Sequence, residues 1–475
     1  MSSPNLTNSS WLIGLVAGLI AIVGGIILAV GGPIAAVAVI LAITAAFVVL
    51  QNLELGFWGI IAVITLLPFA TVPVDIGLTP TLLDLALGAT IGVWALRIVT
   101  GRQRTMLTTP ITLPLVIFIV VAVFAFIFGM SNGPLTSNLL RHFAELILSL
   151  GFVLIVIDFC SEWVRVERLV KVILLTGAGA AVIGIVLWVL PDFTANDILN
   201  VLQRVGYPGG FVIRYIEENP ALSERAIGTS VDPNALGGLL LMIGALAGPQ
   251  LVAKRPTFPR WIILGIIGLI FLCLVLTFSR GAMLGLMAGL GYIAVLRYRR
   301  LIPYLAVAGL LFLLLPFTQD YIGRFLEGVQ GTDLATQMRF GEYRDAFSLI
   351  SRYPLFGVGF AGSPDIDLYL GVASVYLTIG QQMGFLGLFS FAAVILTVFG
   401  YAYFNRQHFK RNVQMDPVWL GLHAAVVGGL VAGVFDHYLF NIDFHHAVTV
   451  FWFLVGLAVA TTRLGSVEAK QGASK

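Results

Sequence analysis

Long apolar stretches, separated by short polar segments, follow one another along almost the whole 475-residue chain. A helix needs about 20 apolar residues to cross ~30 Å of hydrocarbon. The pattern therefore predicts an all-α, polytopic transmembrane helix bundle of about 14 spans, with 12 as the lower count. The predicted spans cover 11–31, 33–50, 57–72, 82–99, 111–129, 143–160, 170–190, 235–252, 261–279, 281–297, 301–317, 372–403, 418–436 and 443–463.

The composition supports the same class of protein. Hydrophobic residues make up 59% of the chain and charged residues only 11%, as expected where the surroundings are mostly lipid. No basic patch for nucleic acid is present. Cys160 and Cys273 both lie in apolar runs, away from each other and from the histidines, so disulfide, zinc and thiol-nucleophile interpretations lack support. We expect both cysteines to be buried as small hydrophobic residues.

The basic residues predict the orientation, because Lys and Arg are enriched in cytoplasmic loops. Basic clusters follow every second span from 82–99 onward, so both termini are predicted to be cytoplasmic. Two longer polar segments, 191–234 and 318–371, then lie outside. The clusters are Arg97, Arg102 and Arg104; Arg165, Arg168 and Lys171; Lys254, Arg255 and Arg260; Arg297, Arg299 and Arg300; Arg406, Lys410 and Arg411; and Arg463, Lys470 and Lys475.

These boundaries divide the chain into six parts. Transmembrane helices alternate with the two outer segments, and a short cytoplasmic tail closes the chain. The predicted parts are 1–190 (helices), 191–234 (first outer segment), 235–317 (helices), 318–371 (large outer loop with an amphipathic helix), 372–463 (helices) and 464–475 (tail).

The stretch "TFSRGAMLGL" places Arg280 between two uncharged runs, at the outer boundary of a span. An arginine there must face an interface, a water-filled cavity or an anion. All basic residues predicted outside are arginines, and a planar guanidinium binds phosphate oxygens in pairs. The outer face thus favours a phosphate site. These arginines are Arg141, Arg204, Arg214, Arg225, Arg280, Arg324, Arg339, Arg344 and Arg352.

The first outer segment ends in "RAIGTSVDPNALG". Asp232 is predicted as the N-cap of the following helix, with Pro233 in its first position. Arg225 lies just before this cap, where helix amides and a guanidinium could together hold an anion. Alternatively, Arg225 pairs with an acidic residue of the same loop, namely Glu217, Glu218 or Glu224.

The large outer loop contains a predicted surface helix. Its hydrophobic positions recur at intervals of three and four, and such a helix could shelter a lipid head group, with Arg339 and Arg344 as contacts. A plain amphipathic cover is the alternative. The glycines of "GVGFAG" (357–362) follow no strand, so they are not interpreted as a phosphate loop. The hydrophobic positions are Phe340, Tyr343, Phe347 and Ile350.

The last outer turn, "FDHYLFNIDFHHAV", concentrates polar residues. His437 could remove a proton from a hydroxyl, with Asp436 to orient it. His445 and His446 are adjacent and point apart on a helix, so they do not supply a pair of metal ligands. The alternative is that these histidines only hydrogen-bond the helix ends.

Four segments follow one another along the chain: "RAIGTSVDPNALG", "TFSRGAMLGL", "RFGEYRDAFSLISRYPLFGVGF" and "VYLTIGQQMGFLGL". In this order they resemble the O-antigen ligase and polysaccharide polymerase superfamily of bacterial membrane glycosyltransferases, over residues of about 200–460. The resemblance implies a C-type glycosyltransferase-like fold in the bacterial inner membrane. It implies outward-facing transfer of a glycan from an undecaprenyl-pyrophosphate carrier to a glycan or glycolipid hydroxyl, with no cofactor or required metal. Arg225 and Arg280 match the family's arginine motifs.

The chain departs from the family where ligases carry a His-Asn pair and, further on, a glutamate. Ala373, Ser374 and Gln382 occupy those positions. Three hypotheses remain open: His437 with Asp436 replaces the missing base, the leaving group needs no strong base, or the protein is not an active transferase. The first two favour a polymerase-like or divergent member.

Two other classes compete. A small-anion transporter, such as one for bicarbonate, could use Asp84, Glu145 or Asp158, although capping at interfaces is expected of all three. A cell-wall glycosyltransferase would depend on an aspartate in the large outer loop, but the surrounding motifs do not resemble that family. The aspartates concerned are Asp320, Asp333, Asp365 and Asp367.

Overall fold

A computed structural model describes residues 44, 47–72, 79–101, 106–303, 306–307, 334–364 and 371–473. The predicted span at 11–31 and most of those at 33–50 and 301–317 lie outside these residues, as do Arg324 and the four aspartates of the large outer loop.

The described residues are mainly helical. Two-residue strands β1 (Arg214–Tyr215) and β2 (Glu224–Arg225) form an antiparallel pair in the first outer segment. The helices are α1 (Leu53–Leu66), α2 (Leu82–Val99), α3 (Thr112–Gly129), α4 (Ser137–Phe159), α5 (Trp163–Val189), α6 (Asp192–Val201), α7 (Pro233–Val252), α8 (Arg260–Leu276), α9 (Arg280–Leu296), α10 (Leu334–Arg352), α11 (Val375–Arg411), α12 (Met415–Phe435) and α13 (His445–Ala473).

Eight of the described helices are long and apolar enough to cross a membrane, and α1, α8 and α9 are shorter apolar helices. The polytopic helical class is thus confirmed, whereas several boundaries differ from the prediction. The span predicted at 57–72 is the shorter α1, and α11 continues past 403 to Arg411. Helix α6 was not predicted, because its ten residues are too few and too polar for a span.

Local capping chemistry sets several helix starts. The carboxylate of Asp232 accepts from the amides of Asn234 and Ala235, which confirms the predicted cap of α7. Thr81 and Asp84 form a reciprocal capping box at α2, so the capping expectation for Asp84 is also confirmed. At these ends the sequence dictates the backbone directly, because a short side chain satisfies amides that the helix leaves open.

Glycines bring α9 against α12. A Cβ on Gly285 would lie 2.6 Å from the carbonyl oxygen of Gly428, and one on Gly289 would lie 2.8 Å from that of Ala424. Small residues at such positions allow two helix backbones to touch, which is how helices associate in lipid. This contact sets the start of α9, and with it Arg280, beside the end of α12. We call the end of the bundle where α7 and α9 begin the site end.

Helix α11 is broken at Gly384, where φ is 63°. The loop after α10 bonds to the broken backbone: the amide of Val358 donates to Gln381 O at 2.8 Å, and the amide of Phe385 donates to Pro354 O at 2.7 Å. This loop therefore supplies hydrogen-bond partners to the backbone groups that the break in α11 leaves open, since buried amides and carbonyls need partners.

Candidate functional site

Arg225 sits at the site end, beside the start of α7. Its Nε donates to the carbonyl oxygen of Thr277 at 2.9 Å, and its Nη2 donates to Asn234 Oδ1 at 2.6 Å. The arginine thereby links the end of α8 to the first turn of α7. Of the acidic residues in the same loop, Glu218 pairs with Arg214 at 3.3 Å.

Arg280 lies on the turn that Arg225 holds. Thr277 ends α8, Phe278 adopts a positive φ of 52°, and Ser279 caps α9 by accepting from the amide of Ala282. Arg280 is the first residue of α9, three positions beyond the carbonyl that Arg225 binds. A positive φ in a bulky residue is strained, and such strain is found at functional turns. The structure thus brings the two predicted arginines to one turn.

A series of polar side chains continues from Asn234 towards the turn between α12 and α13. The Tyr438 side chain lines the same small cleft as Asn234 and Asp436 and interacts with both. Desolvation in the turn raises the pKa of Asp436 to about 7, while Tyr438 and the charge of Arg339 act in the opposite direction. Asn234 and Tyr438 therefore lie between Arg225 and Asp436 in one series of polar side chains.

The structure corrects the predicted relation between Asp436 and His437. Asp436 Oδ1 accepts from the backbone amide of His437 at 2.9 Å, whereas the ring Nδ1 lies 3.1 Å from Asn441 Nδ2. Asn441, not Asp436, is therefore the residue that orients this imidazole. Burial is the main cause that lowers the pKa of His437. Sequence reasoning missed Asn441 because a short polar residue in a turn has many other uses.

Two cavities lie on either side of this turn. A cleft of about 20 Å³ is lined by Asn234, Ser279 and Asp436, and holds about one water. The second cavity is larger, about 470 Å³, and His437 lines it. Asp436 thus faces the cleft beside the turn that bears Arg280, whereas the next residue, His437, faces the larger cavity. The polar lining of the larger cavity includes His142, Glu342, Gln382, His437, Asn441 and Asp443.

Helix α10 separates the two arginines that the sequence assigned to it. The charge of Arg339 acts on Asp436 and His437, so this arginine lies towards the turn. Arg344 is exposed on another side of the helix. Phe340 and Phe347 are 57% and 63% exposed, as expected of an apolar face turned to lipid.

Sequence reasoning did not single out Glu342, which follows Arg339 by one helical turn. Its Oε2 accepts from the amide of Ala373 at 3.0 Å. Ala373 and Gln382 are two of the positions at which the sequence departs from the ligases that it resembles, and Gln382 lines the same cavity. The one available signal was the three-residue spacing from Arg339, which places both residues on one helical face.

A family model described as O-antigen ligase matches residues 265–392. The resemblance to the O-antigen ligase superfamily is confirmed. The matched segment contains Arg280, Arg339, Glu342 and Arg344, whereas Arg225 and His437 lie outside it. The match supports the coarse activity, glycosyl transfer by a multi-pass membrane protein. A comparison with curated proteins gave no match.

One group in the described part of this O-antigen ligase-like chain has donor atoms close enough for a metal. Asp84, Glu145 and His445 each offer an atom within 4.8 Å of the others. Arg141 already stands in this group, 3.2 Å from Glu145 and 3.8 Å from Asp84. A guanidinium between two carboxylates supplies the positive charge that a metal would bring, so we interpret the group as an ionic tie between α2, α4 and α13.

The neighbouring residues agree with that interpretation. His446 packs its ring edge-on against Phe69, with the centroids 4.8 Å apart, while His445 joins the buried carboxylates, so the two histidines do point apart. Both are buried rather than interfacial. Cys160 and Cys273 are buried and unpaired, as expected.

Proposed function

We propose that the protein transfers a glycan from an undecaprenyl-pyrophosphate carrier to an acceptor hydroxyl on the extracytoplasmic side of a bacterial inner membrane. The product would be a cell-surface polysaccharide or lipopolysaccharide, and both termini would be cytoplasmic. The observation that carries the proposal is the hydrogen bond from Arg225 to the turn that bears Arg280. It places two guanidinium-bearing segments and two helix starts at one point.

This arrangement suits a diphosphate. Negative charge grows on the pyrophosphate as the glycosidic bond breaks, and fixed cations stabilise that charge most in the transition state. The N-termini of α7 and α9 add positive partial charge at the same end. Arg225 and Arg280 are therefore assigned to the departing pyrophosphate.

Arg339 and Arg344 receive different parts. Arg339, near Asp436 and His437, would contact the phosphate closer to the transferred sugar. Exposed Arg344, on a helix whose Phe340 and Phe347 are exposed, would contact lipid head groups. His437 and Asp436 would act from the turn between the two cavities, His437 towards the acceptor and Asp436 by holding the turn.

The cleft between the arginine-bearing turn and Asp436 would have to widen for substrate. Its volume of about 20 Å³ admits about one water, much less than a diphosphate. Donor binding would move the Thr277–Arg280 turn away from Tyr438, and the strained Phe278 is the residue at which the backbone would give.

The test is reconstitution of the purified protein with the lipid-pyrophosphate-linked glycan extracted from the native membrane, followed by carrier release and glycan size. Arg225→Ala and Arg280→Ala should each lower kcat/KM more than tenfold, about 1.4 kcal/mol or more. Arg214→Ala is the matched control, because Arg214 stands opposite Arg225 in the β-pair, is exposed and forms an ion pair with Glu218 of the same loop.

Equal activity in all three variants would remove the arginines from the mechanism. An inactive wild-type protein that instead moves a labelled small anion across vesicles would favour the transporter. Neither the family match nor the described residues support that alternative. Asp84 caps a helix, and Asp158 accepts from Trp94 Nε1 and the Leu107 amide.

A further inference from the structure

The hydrogen bonds around Asn441 fix the tautomer of His437. Asn441 Oδ1 accepts from the amide of Asp443 at 2.9 Å, so its Nδ2 is the atom that faces His437 Nδ1 at 3.1 Å. An amide NH₂ can only donate, so Nδ1 must accept, and a neutral ring then carries its proton on Nε2. In this state His437 can donate a hydrogen bond from Nε2, while the lone pair of Nδ1 already accepts the hydrogen bond from Asn441.

A residue that donates from Nε2 is unsuited to remove a proton there. Nε2 could serve as a base only if the ring changed tautomer and lost its bond with Asn441. Lowering of the His437 pKa by burial further disfavours the doubly protonated ring. A different group has to receive the proton of an acceptor hydroxyl.

Glu342 supplies that group. Its carboxylate lines the cavity that His437 also lines, and its charge acts on His437. The amide of Ala373 fixes one oxygen, Oε2, at 3.0 Å, and a carboxylate retains further lone pairs. Carboxylates act as general bases towards hydroxyl nucleophiles in inverting glycosyl chemistry. Helix α10 thus brings a carboxylate to the position where ligases carry histidine.

A further polar atom in the same wall is able to accept a hydrogen bond from a ligand. Gln382 lines the cavity, and its Oε1 has no hydrogen-bond partner among the described residues. Sugar hydroxyls both donate and accept, so a chamber of about 470 Å³ with carboxylate, amide and imidazole groups on its walls matches a sugar ring.

We propose that the cavity between α10 and the α12–α13 turn holds the acceptor sugar, and that Glu342 is the general base while His437 positions the acceptor by donating from Nε2. The proposal rests on the proposed function. The acceptor oxygen forms a bond to the anomeric carbon of the donor as the bond from that carbon to phosphate breaks. The electron pair leaves with the lipid pyrophosphate, and the hydroxyl proton passes to Glu342.

The decisive variant is Glu342→Gln, because a glutamine oxygen can still accept from the Ala373 amide but cannot take the proton. With the native lipid-pyrophosphate glycan, kcat should fall at least about 100-fold. Binding of undecaprenyl pyrophosphate, measured separately, should stay within twofold. Asp345→Asn, on the same helix and outside the cavity lining, is the matched control and should retain activity.

A second arm tests the donor role of His437. A glutamine side chain reaches the Nε2 position with an NH₂ group, so His437→Gln should be at least about tenfold more active than His437→Ala if donation is what matters. Formate added to Glu342→Ala should restore part of the activity, which a purely structural role would not allow.

Several results would overturn the assignment. Glu342→Gln within threefold of wild type, or a loss of undecaprenyl pyrophosphate binding equal to its loss of turnover, removes Glu342 as the base. Equal inactivity of His437→Gln and His437→Ala beside an active Glu342→Gln returns the base role to His437. An active wild type in these cases leaves the proposed function standing, whereas an inactive wild type rejects both.

Discussion

Two polar clusters at the site end use similar residues in opposite ways. One runs from Arg225 through Asn234 and Tyr438 to Asp436, and its last three members line the small cleft. The other joins Asp84, Arg141, Glu145 and His445 and is closed in among α2, α4 and α13. Charges facing a cavity remain able to bind a ligand, whereas charges enclosed by helices are committed to one another.

The closed cluster also leaves polar atoms without partners. Both ring nitrogens of His445 lack hydrogen bonds within the described residues, and Glu145 Oε1 has only its ion pair with Arg141. Charged and polar groups without hydrogen bonds are costly to bury, so the closed cluster stabilises the fold only through the attraction between its opposite charges. The open cluster avoids part of this cost, because Arg225 donates to Asn234 and to Thr277 O, and Asp436 accepts from the His437 amide. We therefore expect substitutions in the closed cluster to affect mainly stability and those in the open cluster to affect mainly turnover.

The largest effect is expected for Arg141→Ala. It would leave Asp84 and Glu145 without their guanidinium, and removing one partner of a buried ion pair costs about 3–5 kcal/mol. Thermal unfolding in detergent should show a large loss of stability. Arg141→Ala combined with Glu145→Gln should recover part of it, because the unpaired charge is reduced.

The control is Arg168→Ala, whose ion pair with Glu54 is 3.0 Å long but whose side chain is 55% exposed. Exposed pairs contribute about 0–1 kcal/mol, so this variant should melt close to wild type. Equal stability of Arg141→Ala and Arg168→Ala would mean that the closed cluster does not hold the helices.

The next effect is expected for Asn234→Ala, which cuts the open cluster in its middle. Arg225 would lose its 2.6 Å bond and Tyr438 one of its partners. Hydrogen bonds to charged groups are worth about 1.5–3 kcal/mol, so kcat/KM should fall about tenfold or more. Unfolding should change less than in Arg141→Ala. Asn219→Ala, which removes an exposed loop asparagine, is the control; a variant at 234 that melts early but turns over normally would reverse the comparison.

The sequence predicted the parts of both clusters that depend on neighbouring residues. The caps at Asp232 and Asp84 and the approach of Arg225 to a helix start follow from short-range chemistry. The hydrogen bond from the Ala373 amide to Glu342 and the approach of Tyr438 to Asn234 depend on how distant segments pack, and no sequence periodicity predicts such contacts. The break in α11 was not predicted for the same reason, because the hydrogen bonds that satisfy its backbone come from a separate loop.

A smaller effect concerns pH and Asp436. Its pKa is raised to about 7 in the folded protein, mainly by desolvation, from an ordinary value near 3.8. Between these values the folded state binds more protons than the unfolded state, so stability should fall as pH rises from about 4 to about 7. Asp436→Asn should flatten this dependence. The measurement is the unfolding temperature of both proteins across that pH range, and parallel curves would show that another group is responsible.

The smallest effect is expected from metal removal, and it tests the distinction between the clusters most directly. If Arg141 supplies the positive charge of the closed cluster, treatment with EDTA should leave turnover and the unfolding temperature within error of the untreated protein. If EDTA lowers either one, added Mn²⁺ or Zn²⁺ restores it, and Asp84→Asn abolishes the restoration, then Asp84, Glu145 and His445 bind a metal. Arg141 would then lie beside a metal site and would not take the place of the metal ion. The interpretation of the closed cluster as a purely structural ion-pair group would then be wrong, and only the interpretation of the open cluster would remain.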